Sequence, residues 1–255
     1  MFHELYATGM PWTGAFWVSP LQRLVAAKLA RISTAIVTNR HSAVSWLQRY
    51  RASAATPVRV QPVFSNVGEP EEIVPYEQRG AHIAVFGGGG RKATIYDKHR
   101  DRLRWIVNRK EFAQVVDIGP SDDSFLPNET WSRPLGVMSA EEISDWLASA
   151  SLGVLSYPGR RLGKSGVAAA FASHGVPFVL FDEDDTSGKT DPYVEEEHFL
   201  RGKVLGEAGA SYSDPQLERM SRAIHRLYRD RLHSTRAARS FLDLFDSVTQ
   251  NSSIE

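Results

Sequence analysis

Apolar positions along the chain follow two rhythms, and the change between them divides the sequence. From Pro20 to Arg31 apolar residues recur at Leu21, Leu24, Val25, Ala27 and Leu29, the three-and-four spacing of a helix face. Thr34 to Thr38 reads as a short buried strand. Asn39 to Tyr50 reads as a helix, capped by Asn39 or Ser42, with Val44, Trp46 and Leu47 facing inward. Val58 to Val67 alternates loosely and ends in a strand. Gly68 to Gly80 is rich in Glu, Pro and Gly, lacks apolar periodicity and reads as a linker. Beyond it short apolar runs alternate with helical ones: strand 82–86, helix 95–108, strands 114–118 and 134–137, helix 140–150, strand 152–156, helix 164–174 and strand 177–181. Ser139 and Glu142 supply a capping pattern at the head of one of these helices. Strands and helices at this spacing predict an α/β fold, a parallel sheet wound with crossover helices. Residues 182–212 are polar and irregular, and Asp214–Leu232 and Ser234–Phe245 form two closing helices.

The organisation this predicts is a partial N-terminal α/β domain over 1–67, a linker at 68–80, a Rossmann-like domain over 81–212 and closing helices over 213–255. The opening residues change the picture further. Phe2, Leu5, Tyr6, Trp12, Phe16 and Trp17 crowd aromatic and apolar side chains into a segment that wants a partner surface, as if the chain began within a domain.

Candidate chemistry concentrates at the end of the first strand after the linker. His82 to Phe86 runs into Gly87-Gly88-Gly89-Gly90-Arg91-Lys92. Glycines let backbone N–H groups approach an anion, and two cations can neutralise what arrives. The plainer reading is a tight strand–helix turn with two solvated basic residues. A second loop, Tyr157-Pro-Gly-Arg-Arg-Leu-Gly-Lys164-Ser165, follows another strand of the same sheet. In an open parallel sheet ligands bind beyond the carboxyl ends of the strands, so the two loops reinforce one another. Gly159-x3-Gly163-Lys164-Ser165 approaches a P-loop but is one residue short, and it follows the fourth strand rather than the first.

Composition narrows the class. The 255 residues carry no net formal charge, 42% are hydrophobic and 24% charged, which describes a globular protein with no global field for nucleic acid. Cysteine is absent, excluding disulfides, thiolate zinc sites and thiol catalysis, and suiting a cytoplasmic setting. No apolar run is long enough to span a bilayer. The histidines show no metal-ligand spacing and no Gly-x-Ser-x-Gly elbow anchors a hydrolase triad. Asp182-Glu-Asp-Asp185 could hold a divalent cation, but reads more simply as a polar loop. The arginine-rich stretch 219–239 has an apolar stripe at Leu217, Met220, Ile224, Leu227 and Leu232. It suits either an anionic membrane surface or, the favoured reading, a core-packed helix with a solvated face.

Taken in order, His3-Glu4 beside an aromatic-rich helix, Asn39 after a short strand, Gly-Gly-Gly-Arg-Lys after a linker, Ala-Glu-Glu-Ile and Lys-Ser-Gly…His-Gly-Val-Pro177 resemble the nucleotide-sugar glycosyltransferases of GT-B fold. The likeness is greatest to their retaining, family-4-like group, and it starts in the back half of that family's N-terminal domain. It implies two Rossmann-like domains and transfer of a sugar from a nucleoside diphosphate sugar to a hydroxyl acceptor. The acceptor would be a sugar or lipid-linked sugar, in envelope polysaccharide or glycoconjugate synthesis. No metal or other cofactor is implied.

Residue by residue, the resemblance implies Gly88, Gly89 and Gly90 as a backbone cradle and Arg91 and Lys92 as cations on the donor diphosphate. Lys164 and Ser165 would also meet phosphate, Gly166 the donor sugar, and His3 would be the catalytic cleft histidine. Many members carry Glu-x7-Glu to contact the donor sugar and ribose; here Leu162 and Ala170 fall at those places. Two classes therefore stay open, a glycosyltransferase or its donor-binding portion and a non-catalytic nucleotide- or anion-binding module, with a P-loop-like NTPase as a minor third.

Overall fold

The structure is a computed structural model that describes residues 1–2, 5–7, 9–109, 112, 114–120, 130–182, 190–203 and 213–252. Its contacts group into two units, one of residues 1–62 with 235–255 and one of residues 63–234.

In the first unit, helix α1 (Gly14–Ile32) leads to strand β1 (Ile36–Thr38), helix α2 (His41–Tyr50) and strand β2 (Val58–Val60). The two strands pair in parallel, and Phe2 bridges to Thr38 on the other side of β1. α2 starts two residues later than the sequence suggests, with Arg40 rather than Asn39 or Ser42 at its cap. Strand character ends at Val60, where Gln61 and Pro62 follow; proline has no N–H to extend the ladder. The buried core is small: Ala30, Ile36, Ala43 and Leu47.

The second unit holds strand β3 (Gly80–Phe86), helices α3 (Gly89–Lys98) and α4 (Arg100–Arg109), strands β4 (Gln114–Ile118) and β5 (Ser132–Gly136), helix α5 (Ala140–Ser149), strand β6 (Ala150–Ser156), helix α6 (Gly166–Ser173), strands β7 (Phe178–Phe181) and β8 (Phe199–Arg201), and helix α7 (Asp214–Leu227). A final helix, α8 (Ser234–Ser252), packs in the first unit, where Arg59 donates to the Ser240 carbonyl at 3.1 Å. The six strands of the second unit form one parallel sheet in the order β5-β4-β3-β6-β7-β8. Counted from β3, this is the 3-2-1-4-5-6 order of a dinucleotide-binding sheet.

Period-two alternation divides the core between the two sheet faces. Ile83 and Val85 pack with Ile95 and Tyr96 of α3 and Leu103 and Ile106 of α4. Ala84 packs with α5 and with the alanine-rich α6 on the opposite side. Parallel strands covered on both faces need apolar runs rather than alternation, and every residue of β6 and β7 is buried. Ser139 and Glu142 form a reciprocal capping box on α5, as their spacing predicts.

Two expectations are corrected. The single helix at 95–108 is two helices, and the first begins inside the glycine run, where weak helix propensity hides it. β8 lies in the stretch read as irregular; three residues suffice because the β7 edge templates them. The arginine-rich α7 turns Leu217, Met220, Ile224 and Leu227 into the core, the favoured of its two readings.

Candidate functional site

The chain leaves β3 toward β4 and β5 on one side, then returns to lay β6 on the other side of β3. The loops after β3 and β6 therefore diverge and open a crevice at the carboxyl edge. Both anion-suited loops found in the sequence lie there.

The first loop is shaped by close backbone approach. Gly119, after β4, has φ +101° and lies so near Gly87 that a Cβ would meet the Gly87 carbonyl oxygen at 2.6 Å. Gly87 itself has φ +136°, and its N–H donates to the Ile118 carbonyl at 3.2 Å. α3 then starts with Gly88 at its cap and no side chain closing the end. The N–H groups of Gly89 and Gly90 have no intrahelical acceptor and carry the positive end of the helix dipole, whereas that of Arg91 already donates to the Gly88 carbonyl at 3.0 Å. Space around Gly88 and Gly90 is open.

The two cations after the glycines part company. Arg91 is exposed, and its guanidinium lies over the Tyr157 ring, 5.0 Å from the centroid, linking the first loop to the second. Lys92 turns inward and is 2% exposed. Its ammonium donates to Asp117 Oδ1 at 2.5 Å and to the Gly119 carbonyl at 3.0 Å, while the Tyr96 hydroxyl donates to Asp117 Oδ2 at 2.7 Å. Burial and the Asp117 carboxylate push the Tyr96 phenol far up, so it stays a donor. Lys92 thus underpins the glycine loop from within the sheet rather than lining its open side.

The second loop is a 3₁₀ helix over Gly159–Lys164. Three N–H groups of this stretch are already engaged: Gly159 donates to Asp182 Oδ1 at 3.0 Å, Arg161 to the Pro158 carbonyl and Ser165, just after it, to that of Leu162. A P-loop needs those N–H groups turned toward a phosphate, so the P-loop alternative fails on geometry. Ser165 is buried and its hydroxyl accepts from Ala168 N at 3.1 Å, capping α6. Lys164 is half-buried, and burial lowers its ammonium pKa from the ordinary lysine value. Gly166 opens α6, and Val167 beside it would lie 3.3 Å from a Cβ on Gly87. The start of α6 and the glycine loop are therefore neighbours.

A cavity of about 790 Å³ is lined by Gly88, Gly89, Gly90 and Arg91 together with Thr94, Lys98, His99 and Asp182. Arg91, Thr94 and Lys98 follow at steps of three and four, one helix face, and that spacing could have flagged them once the helix start was known. His99 stacks on Phe181, with centroids 4.2 Å apart. Asp182 accepts from Arg201 at 2.8 Å as well as from Gly159. Its pairing explains why an acid sits beside a basic loop. Among the described residues no cluster of metal-ligating side chains forms. Glu183, Asp184 and Asp185 lie outside the described residues, as do His3 and Glu4. Leu162 and Ala170, at the places where the resemblance expects carboxylates, are fully buried.

No protein-family model and no curated protein sequence matches the chain. Solved structures do. A TarM variant from S. aureus, in complex with fondaparinux, α-GlcNAc-glycerol and UDP, superposes with a TM-score of 0.62 at 10% identity, over 96% of this chain and 50% of its own. Anabaena HepE in complex with UDP and glucose matches with a TM-score of 0.57 at 12% identity, over 90% and 67%. The trehalose 6-phosphate synthase of Burkholderia multivorans gives 0.59 at 12% identity, over 97% and 65%. This chain has the fold of the GT-B glycosyltransferases. Its six-stranded sheet matches one Rossmann-like half of that fold. The chain spans about half the length of TarM. Among the described residues no helix is long and apolar enough to cross a membrane.

Proposed function

We propose that the crevice between the loops after β3 and β6 binds a nucleoside diphosphate sugar, and that the chain is a glycosyltransferase, or the donor-binding portion of one, acting on a hydroxyl acceptor. The observation that carries this reading is the uncapped start of α3 at the strand-order switch, with Arg91 held across it by Tyr157. TarM and HepE, both solved with UDP, lend the reading its ligand class.

The chemistry follows from charge. Breaking the glycosidic bond to a diphosphate leaves negative charge on the phosphate oxygens, and groups aimed there before reaction lower the barrier. Gly88, Gly89 and Gly90 would offer backbone N–H groups, Arg91 a planar fork and Lys164 a point charge, and Gly166 would open α6 toward the sugar. Ser165 would act through its cap on α6. The donor-diphosphate role of Lys92 becomes an indirect one, holding Gly119 and hence the glycine loop. With these cations no divalent metal is required by the reading, and His3 keeps its proposed contact with the transferred sugar. Envelope polysaccharide or glycoconjugate synthesis on the cytoplasmic side fits such a donor.

A second reading, a nucleotide- or anion-binding module without catalysis, is favoured by the buried Leu162 and Ala170, which supply no carboxylate to sugar or ribose. Saturation-transfer NMR with UDP-glucose, GDP-mannose and ADP-glucose in EDTA tests the proposal. Transfer to sugar protons as well as base protons of one donor supports it. Transfer to none of the three overturns it.

A further inference from the structure

The segment from Ser65 to Arg79, which feeds the chain into β3, is strapped onto the sheet unit by ionisable side chains along its length. At its far end the buried Arg79 guanidinium donates to the carbonyls of Val74, Ala150, Gly175 and His174 at 2.9–3.1 Å. Near its start the Glu69 carboxylate accepts from the Tyr228 hydroxyl and from both the N–H and the hydroxyl of Ser234. The Tyr228 oxygen in turn accepts from Ser65 N at 2.8 Å. His225 Nε2 lies 3.4 Å from the Pro70 carbonyl. Between these ties Gly68, at φ +124°, brings its backbone down onto His174. A Cβ there would meet Ser144 Oγ at 2.8 Å and His174 Nε2 at 3.6 Å.

His174 is the group that this strap leaves least room to ionise. Its Nδ1 lies 2.8 Å from the Ala170 carbonyl, which can only accept, so the neutral ring carries its proton there. Nε2 then takes the Ser144 hydroxyl at 2.7 Å. A second proton would go on Nε2, beneath Gly68. It would set a charge out of water beside Arg79 and near His225, with Asp145 of α5 as the opposing acid. His225 itself faces Arg79, Arg229 and His233. Burial lowers the pKa of both rings. At Glu69 burial acts to raise the pKa, but hydrogen bonds from Ser234 and Tyr228, and His233 beyond them, outweigh it and the value is lowered. The signs therefore agree: both histidines and Glu69 take up protons more readily once the strap lifts, so acid favours lifting. A proton on His233, whose Nε2 lies 3.8 Å from Glu69 Oε2, opposes this for as long as Glu69 stays ionised. We propose that residues 65–79 form an acid-released strap, freed by protonation of His174 and His225 while the six-stranded sheet stays folded. The strap does not depend on the assignment of the donor crevice.

Amide hydrogen exchange of the full chain, read by mass spectrometry and corrected for intrinsic rates, tests this. A histidine kept neutral under the strap, with an ordinary pKa of about 6.5 once released, raises the opening constant about tenfold between about pH 7.5 and about pH 5.5; two raise it about a hundredfold. Peptides spanning residues 63–79 are expected to exchange about tenfold to a hundredfold faster at the lower pH, with β3 and β6 still protected. The double variant His174→Gln, His225→Gln should reduce that acceleration to less than about threefold. His82→Gln is the control: its ring meets Trp146 rather than the strap, so its response should match the parent's. Should His174→Gln not fold, His225→Gln alone carries the test, with the acceleration expected to shrink about tenfold. A strap that does not quicken with acid, that exchanges in step with β3 and β6, or that quickens as much in the histidine variants as in the parent would overturn the proposal.

Discussion

The guanidinium of Arg91 lies over the ring of Tyr157, 5.0 Å from its centroid, and so joins the loops on either side of the strand-order switch. A long, exposed cation is thereby held over the crevice before any ligand arrives, which reduces the side-chain entropy lost on binding. Removing the ring should release it. Tyr157→Ala is expected to weaken UDP binding about threefold to tenfold, the size of an exposed-to-half-buried cation–π contact, while Tyr157→Phe retains affinity. Isothermal calorimetry on the two variants checks this, and equal losses for both would assign the effect to the hydroxyl.

Beneath the same loop, the Lys92–Asp117 pair is almost fully removed from water. Breaking a buried pair leaves an uncompensated charge and typically costs about 3–5 kcal/mol, whereas replacing both partners costs much less. Lys92→Met should accordingly lower the urea midpoint far more than the double variant Lys92→Met, Asp117→Leu. Additive losses in the two single variants would show that the pair is not coupled.

Backbone approach gives a sharper test of loop shape. Gly119 has φ +101°, and a methyl group placed on it would lie 2.6 Å from the Gly87 carbonyl oxygen, so alanine is strained twice over. Gly119→Ala should displace the glycine loop and lower nucleotide affinity by more than tenfold, with a loss of stability of about 1–3 kcal/mol. Unchanged affinity in a folded Gly119→Ala protein would mean that the loop does not contact the ligand.

Stability should also depend on pH through buried histidines. His174 is 1% exposed, its ring bonded to the Ala170 carbonyl and within 2.7 Å of the Ser144 hydroxyl, and burial holds its pKa below the ordinary 6.5. His82 and His225 are lowered for the same reason. A histidine with a depressed folded pKa binds more protons when unfolded, so stability is complete above the unfolded value and is lost as pH falls below it. Urea midpoints should be level above about pH 7 and decline from about pH 6.5 downward, less steeply in His174→Gln. A midpoint that rises on acidification would contradict this.

Much of the fold was legible because parallel strands announce themselves. Val115 to Ile118, apolar but for Asp117, and Leu152 to Leu155 are short runs at regular spacing, and the capping box at Ser139 sets the start of α5 to the residue. The glycine loop was legible as chemistry but not as geometry. Glycine's low helix propensity concealed that α3 begins at Gly89, and with it the face that carries Thr94 and Lys98. Nothing local distinguishes Arg91 from Lys92: which of two adjacent cations faces solvent is fixed by Asp117, twenty-five residues away and on another strand. The spacing of Leu21, Leu24 and Leu29 marks α1 as a helix, but periodicity reports a stripe and not what lies against it, and all three are exposed.

The central claim is that Arg91 and the start of α3 bind a diphosphate, and one comparison tests it most directly. Calorimetric titrations in EDTA would measure UDP and uridine against the parent chain and Arg91→Ala, with GDP and ADP as alternatives should the base differ. Loss of a charge-assisted hydrogen bond of about 1.5–3 kcal/mol predicts that the variant binds the nucleoside diphosphate at least about tenfold more weakly, with nucleoside binding unchanged. Equal loss for nucleoside and diphosphate, or diphosphate binding indifferent to Arg91, would contradict the account.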